Sequence, residues 1–281
     1  MAVAKRILQQ QIQMTKLPDS KYFEYFSSLF HGGKMTPYSE YTETKGWDYP
    51  EIERERFEYY FLTDTSYLKN QRILDLGCHV GYMSYISKHL GAEYVHGVNI
   101  RDVPINVANF AFDQLGETNY KFEVADIEDL NYLATLCKNK DTVILTEVLE
   151  HCRNPLPILN TISNTDVKNL IFASAIVSDS GPPVLEYRLE RTQTNFTSAF
   201  EGQKEYTLAC APNLNWITTV LYHLDWKIEH FEVVVPFNRN YFSVPNLGIP
   251  PKVIKKVLVL ARKFENKDEL NAGGWKKPKT S

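Results

Sequence analysis

Two glycines four residues apart close the stretch Ile73-Leu74-Asp75-Leu76-Gly77-Cys78-His79-Val80-Gly81, where an apolar run gives way to helical periodicity. A strand that turns on glycines into a helix exposes bare backbone beyond its carboxyl end, so Asp75 to Gly81 form a candidate ligand cradle. A dinucleotide fingerprint needs glycine where His79 and Tyr82 stand, and the chain has no GxxxxGK[ST] loop, so neither phosphate-binding reading holds. Asp75 reads as a strand-end carboxylate that holds the loop, and His79 as a residue that shapes it. Cys78, Cys137, Cys152 and Cys210 are far apart, without zinc-ligand spacing, and read as reduced thiols of a cytosol-like compartment.

The elements that position this loop follow from apolar periodicity. From residue 71 onward short apolar runs alternate with helical stretches, the βαβ signature. Strands are expected at 71–76, 94–99, 120–124, 142–146, 169–176, 227–235 and 254–262. A helix at 212–224 is expected to begin with Pro212 and to set Trp216, Ile217, Val220, Leu221 and Leu224 on one face. Only the stretch 236–251 separates the last two strands, so they should pair antiparallel. Residues 1–70 read as an N-terminal helical extension, in which thirteen of the forty residues from Tyr22 to Phe61 are aromatic. That density suits a helical layer packed on the core, and also a lid carrying Tyr38, Tyr41 and Trp47 over a cleft. The core spans 71–264 with an insertion at 178–211, and the polar, lysine-rich 265–281 reads as a disordered tail.

The glycine-bearing strand resembles the first motif of class I S-adenosylmethionine (SAM) dependent methyltransferases, an apolar strand followed by DxGxxxG. Further segments agree in order. The resemblance implies a Rossmann-like α/β fold, a doubly wound seven-stranded, mostly parallel sheet with an antiparallel last strand. It implies SAM as cofactor, held by Asp75, Gly77, Cys78, His79 and Gly81. At the end of the second strand, where the family carries an acidic residue on the ribose hydroxyls, this chain has Asn99, followed by Ile100. An amide can accept one hydroxyl proton but forgoes the stronger charge-assisted bond of a carboxylate. Val124-Ala125-Asp126-Ile127 looks like the segment that reads the adenine edge, with Asp126 on the amino group. Thr146 and the run Glu147-Val148-Leu149-Glu150-His151, followed by Pro155, are similar to the EVLEH segment of the quinone, tRNA and small-molecule branches.

Methyl transfer is an in-line displacement from a sulfonium, so the enzyme must chiefly align nucleophile, methyl carbon and sulfur. A hydroxyl nucleophile must also lose a proton, and His151, just past the fourth strand, is the candidate base, with Glu147 beside it. Glu150 has a simpler reading, a carboxylate at the positive end of the next helix. The 178–211 insertion is long for a compact domain and reads as a substrate cap bearing Tyr187, Arg188, Arg191 and Tyr206. Its arginines suit a substrate carboxylate or phosphate, and equally an exposed salt-bridged pair. The chain lacks the [DN]PP[YF] loop and the Pro-Cys pair of DNA-base enzymes. With 31 basic against 34 acidic residues it has no chain-wide basic surface for nucleic acid. No apolar run is long enough to span a membrane, and the start, MAVAKRILQQQIQ, lacks a secretory apolar block, so a cytoplasmic protein is expected. The leading expectation is O-methylation of a small molecule. The alternatives are an alkyl transferase of tRNA wobble uridine and a non-catalytic SAM- or S-adenosylhomocysteine (SAH)-binding protein, the last motivated by Asn99 and His79.

Overall fold

The structure is a computed structural model that describes residues 64–191, 206–234 and 255–264. The expected N-terminal helices, the aromatic lid and the 265–281 tail lie outside the described residues. The chain divides into two compact units, Met1–Ala125 and Asp126–Ser281.

In the first unit, β1 (Arg72–Leu76), β2 (Tyr94–Asn99) and β3 (Tyr120–Val124) alternate with α1 (Tyr82–His89) and α2 (Asp102–Gln114). The strands are parallel, with Arg72 opposite Tyr94 and Val95 opposite Tyr120. Ile73, Leu74 and Leu76 are all buried, as in a strand covered on both faces. Phe112 of α2 meets Phe122 of β3 at 4.7 Å and 80°, an edge-to-face contact between helix and sheet. Such aromatic pairs contribute about 0.5–1.5 kcal/mol beyond their buried area.

In the second unit α3 (Leu130–Leu136) leads to β4 (Thr142–Thr146), then α4 (Pro155–Ser163) to β5 (Asn169–Ile176). There follow β6 (Leu185–Arg191), β7 (Tyr206–Pro212), α5 (Leu214–His223), β8 (Trp226–Val234) and β9 (Lys255–Lys263). β4 and β5 are parallel, and β9 runs antiparallel to both β5 and β8. The seven sheet strands follow the order β3-β2-β1-β4-β5-β9-β8, a mostly parallel sheet with one antiparallel strand. This is the expected Rossmann-like arrangement, and the seven strands fall within one or two residues of their expected bounds.

Two expectations need correction, and the insertion adds a feature that the sequence reading did not include. The insertion holds a hairpin, in which β6 and β7 pair antiparallel with Tyr187 opposite Cys210. Pro212 closes β7 rather than opening a helix, and its carbonyl accepts from Val177 N at 3.0 Å. Asn213 caps α5 instead, accepting from Trp216 N at 2.8 Å and Val184 N at 3.1 Å, because its side-chain oxygen can take an N–H of the first helical turn while proline's ring has no acceptor. Glu150 and His151 lie in a 3₁₀ turn, Leu149–His151, and α4 starts only at Pro155, so the helix dipole does not explain Glu150.

Candidate functional site

In the first unit the glycine loop is held from below. Asp75 is 2% exposed and its Oδ2 accepts from Ser84 Oγ of α1 at 2.7 Å, tying the end of β1 to the helix after the loop. The N–H groups of Gly77 and Cys78 both donate to Val98 O, at 2.8 and 2.9 Å, so the loop lies against the end of β2. Gly77, His79 and Gly81 all have left-handed backbones, with φ of 75°, 52° and 85°. A Cβ on Gly81 would come within 3.0 Å of the Phe122 ring and 3.1 Å of Ala108. This glycine therefore serves helix–sheet packing as well as the turn. Burial, and then the charge of Asp75, pushes the buried Cys78 thiol well above its ordinary range.

Asn99 ends β2 half-buried, beside Ile100, and its Oδ1 accepts from Arg101 N at 2.9 Å. Because a backbone N–H can only donate, the amide orientation is settled, with Oδ1 toward Arg101 N. The side-chain NH₂ has no acceptor among the described residues. The NH₂ can therefore donate to a ligand, while Oδ1 keeps a second lone pair with which it can accept.

In the second unit, Asp126 and Ile127 follow β3. Burial pushes the half-buried Asp126 carboxyl up, and the hydrogen bond from Glu128 N to its Oδ1, at 2.8 Å, opposes this. Among the described residues neither its Oδ2 nor the N–H of Ile127 has a hydrogen-bond partner. Glu128, not singled out from sequence, accepts from Arg153 N and Nε at 2.9 Å each, and from Asn154 N at 3.3 Å. It thereby ties this segment to the chain just past the 3₁₀ turn.

Past Thr146, which is half-buried, Glu147 turns the chain with φ of 58° while its N–H donates to Ala173 O at 2.8 Å. Its Oε2 is ion-paired with Lys256 Nζ of β9, both side chains being about one-seventh exposed. Glu150 is buried, with Oε2 accepting from Ser174 Oγ at 3.1 Å and Oε1 from Ala175 N at 3.3 Å. Burial pushes its carboxyl up, the charge of Glu147 adds to this, and His151 and Lys256 oppose it. His151 is half-buried at the end of the turn. Cys210 of β7 donates through Sγ to Leu149 O at 3.4 Å, which sets the hairpin against this turn. Tyr187 pairs with Cys210 and is half-exposed. Arg191 pairs with Tyr206 at the far end of the hairpin, whereas Arg188 pairs with Ala209, one step out of alternation with them. Lys256 and Ser174 had no signal in the sequence beyond a polar residue in a strand.

Residues 68–228, more than half of the chain, match the family described as Methyltransferase domain, and the protein belongs to that family. No curated protein matches it. The N-terminal domain of EvdMO1 with SAH bound has 15% identity and a TM-score of 0.55, over 80% of this chain and 94% of its own. Magnesium protoporphyrin IX methyltransferase (ChlM) from Synechocystis PCC 6803 with bound SAM has 15% identity and a TM-score of 0.50, over 90% and 97%. The [4+2]-cyclase SpnF has 15% identity and a TM-score of 0.52, over 76% and 80%. At such identities the likeness is one of fold, that of the class I SAM-dependent methyltransferases. The cyclase among them means that the reaction must be argued from family and residues.

Proposed function

We propose that this enzyme transfers a methyl group from SAM to a hydroxyl of a small-molecule acceptor, with His151 taking the proton. The observation that carries the cofactor assignment is the open pair on one segment of a methyltransferase-family chain, Asp126 Oδ2 and Ile127 N–H. The Asp126 carboxylate and the next residue's N–H offer an acceptor and a donor, which complement the amino group and ring nitrogen of an adenine edge. The Asn99 amide donates to a ribose oxygen, and the loop of Asp75, Gly77, Cys78, His79 and Gly81 carries the amino-acid end, with Ile100 and Thr146 flanking. When bound, SAM supplies an electrophilic methyl group on a sulfonium.

The chain's own task is then to align the acceptor and remove its proton. His151, half-buried on a turn fixed from two strands, is suited to accept it. Glu147 serves as the anion paired with Lys256 rather than as the base. The hairpin, which carries Tyr187, Arg191 and Tyr206 at register positions of one face, supplies the acceptor wall, and Arg188, on the other face by the same register, is left out of it. EvdMO1, crystallised with SAH and D-fucose, and the protoporphyrin enzyme ChlM support a small-molecule acceptor. The four buried thiols suit a reducing, cytoplasmic setting.

Calorimetry with SAM and SAH tests the first half: both bind the wild type, and Asp126→Ala weakens them. Absence of heat with either ligand overturns the cofactor assignment. Supplying methyl-labelled SAM to the protein with a metabolite extract identifies the acceptor. His151→Ala is expected to lower turnover about 10²- to 10⁴-fold with SAH affinity retained. Co-purifying RNA whose binding weakens steeply with salt would redirect the acceptor to RNA.

A further inference from the structure

We propose that Lys256 is a positioning residue of the methyl-transfer site: its ammonium pins Glu147 in the left-handed corner after β4 and so fixes the turn that presents His151. The inference rests on the reading of His151 as proton acceptor and adds a residue to it from the last strand of the fold.

Glu147 is a non-glycine residue at φ of 58°, a conformation held only where the surroundings dictate it. Two of the bonds that hold it reach the neighbouring strands. The N–H donates to Ala173 O of β5 at 2.8 Å, and the carboxylate pairs with Lys256 Nζ of β9. In the β5–β9 register Lys256 lies opposite Ala175, whose own N–H donates to Glu150 Oε1 at 3.3 Å. Ser174 Oγ holds the other oxygen of Glu150 at 3.1 Å. The two carboxylates of the segment, three residues apart, are thus fastened to one level of the β5–β9 pair. The cation holds Glu147, and a hydroxyl and a backbone N–H hold Glu150. Between them they suspend the turn whose last residue is His151, while Cys210 of β7 holds Leu149 O at 3.4 Å.

The charge of Glu147 acts on Glu150, so the two repel when both are ionised, and a cation beside Glu147 relieves that repulsion. Lys256 supplies that cation, and the side chain at this position of β9 must be long and cationic to do so. Among the described residues, the groups that face Glu150 include Glu147, His151 and Cys152 on its own segment, Ser174 with the Ala175 N–H on β5, and Lys256 on β9.

The test uses the full-length protein labelled with ¹³C-glutamate and ¹⁵N, comparing Lys256→Met and Lys256→Arg with the wild type. Three readouts need no ligand: the Glu150 carboxyl titration, assigned by its loss in Glu150→Gln, the exchange rate of the Glu147 amide, and the His151 imidazole signals. Lys256→Met is expected to move the Glu150 midpoint up, because Lys256 is one of the charges that hold it down. It should also speed Glu147 amide exchange at least about tenfold and broaden the His151 signals, in proportion to the fraction of open corner. Lys256→Arg restores all three. A folded Lys256→Met protein with wild-type values, or Lys256→Arg that fails to restore them, overturns the proposal. Should Lys256→Met not fold, Glu147→Gln cuts the same pair from the other end and must speed Glu147 exchange; an unchanged rate overturns the proposal equally. Failure of the wild type to bind SAH strikes the cofactor assignment instead and leaves these readouts intact.

Discussion

Asp75 and Glu150 are both buried carboxyls, yet their surroundings give them different duties. Asp75 accepts from Ser84 Oγ at 2.7 Å, so Ser84→Ala leaves a buried carboxylate short of a donor at the root of the loop. The expected cost is about 1–3 kcal/mol, read as a lower denaturant midpoint, together with weaker SAH binding by calorimetry. Glu150 is held above its ordinary range by burial first and then by Glu147. Between the ordinary carboxyl pKa and that raised value the folded state keeps a proton the unfolded chain has lost, so wild-type stability falls as pH rises through this window. Glu150→Gln removes the titration, and its stability relative to wild type is expected to rise across the same window in melts recorded at successive pH values. A difference that stays flat with pH would show that Glu150 ionises as it does in the unfolded chain. At this scale the residue types near the glycine loop were legible, but the orientation of the Asn99 amide was not. Its orientation is decided by Arg101 N, a backbone donor whose position depends on how the chain leaves β2.

Strands and helices constrain glycine and cap positions in ways that can be tested by single substitutions. Gly97 lies in the middle of β2, and a Cβ there would overlap the Phe122 ring and come within 2.9 Å of Cys78 Sγ. Gly97→Ala therefore overpacks the first unit beneath the loop, an effect of about 1–3 kcal/mol that also displaces Cys78. Thermal melts and SAH calorimetry on this variant should both shift downward, whereas Gly116→Ala, with open space around its Cβ, reports backbone strain alone. In the second unit, Asn213 accepts from Trp216 N and Val184 N and donates to Pro182 O at 2.6 Å. It joins the start of α5 to the root of the hairpin. Asn213→Ala is expected to cost more than the ~1 kcal/mol of an ordinary cap, with faster amide exchange in both Trp216 and Val184. Faster exchange at Trp216 alone would reduce Asn213 to a simple cap. The seven sheet strands were legible because buried parallel strands are continuous apolar runs. The hairpin was not, since Leu185–Arg191 mixes charged and apolar residues and its pairing with Tyr206–Pro212 is non-local.

For the molecule as a whole, ligand binding must appear as added stability. A ligand that binds only the folded chain raises its stability by about 2.7 kcal/mol at a hundredfold excess over Kd. SAH is therefore expected to raise the melting temperature in a concentration-dependent way. The same titration with adenosine alone should give a smaller rise, because it engages only the nucleoside-facing groups. Identical shifts for the two ligands would show that the Asp75–Gly81 loop contributes nothing. A net charge of −3 predicts that SAH binding varies little with salt. Among the described residues no helix is long and apolar enough to cross a membrane.

The sequence by itself determined the alternation of strands and helices and the glycine turn after β1, because these depend on local periodicity and on spacing within short segments, and the resemblance of its motifs pointed to the methyltransferase family. Only the tertiary structure decided what each polar side chain bonds. Lys256 meets Glu147 across 109 residues of chain, Glu150 is buried against β5 rather than exposed at a helix start, and β7 lies on the turn before His151. Such pairings join residues distant along the chain, and their energy depends on burial and on the sheet register, which local periodicity does not encode.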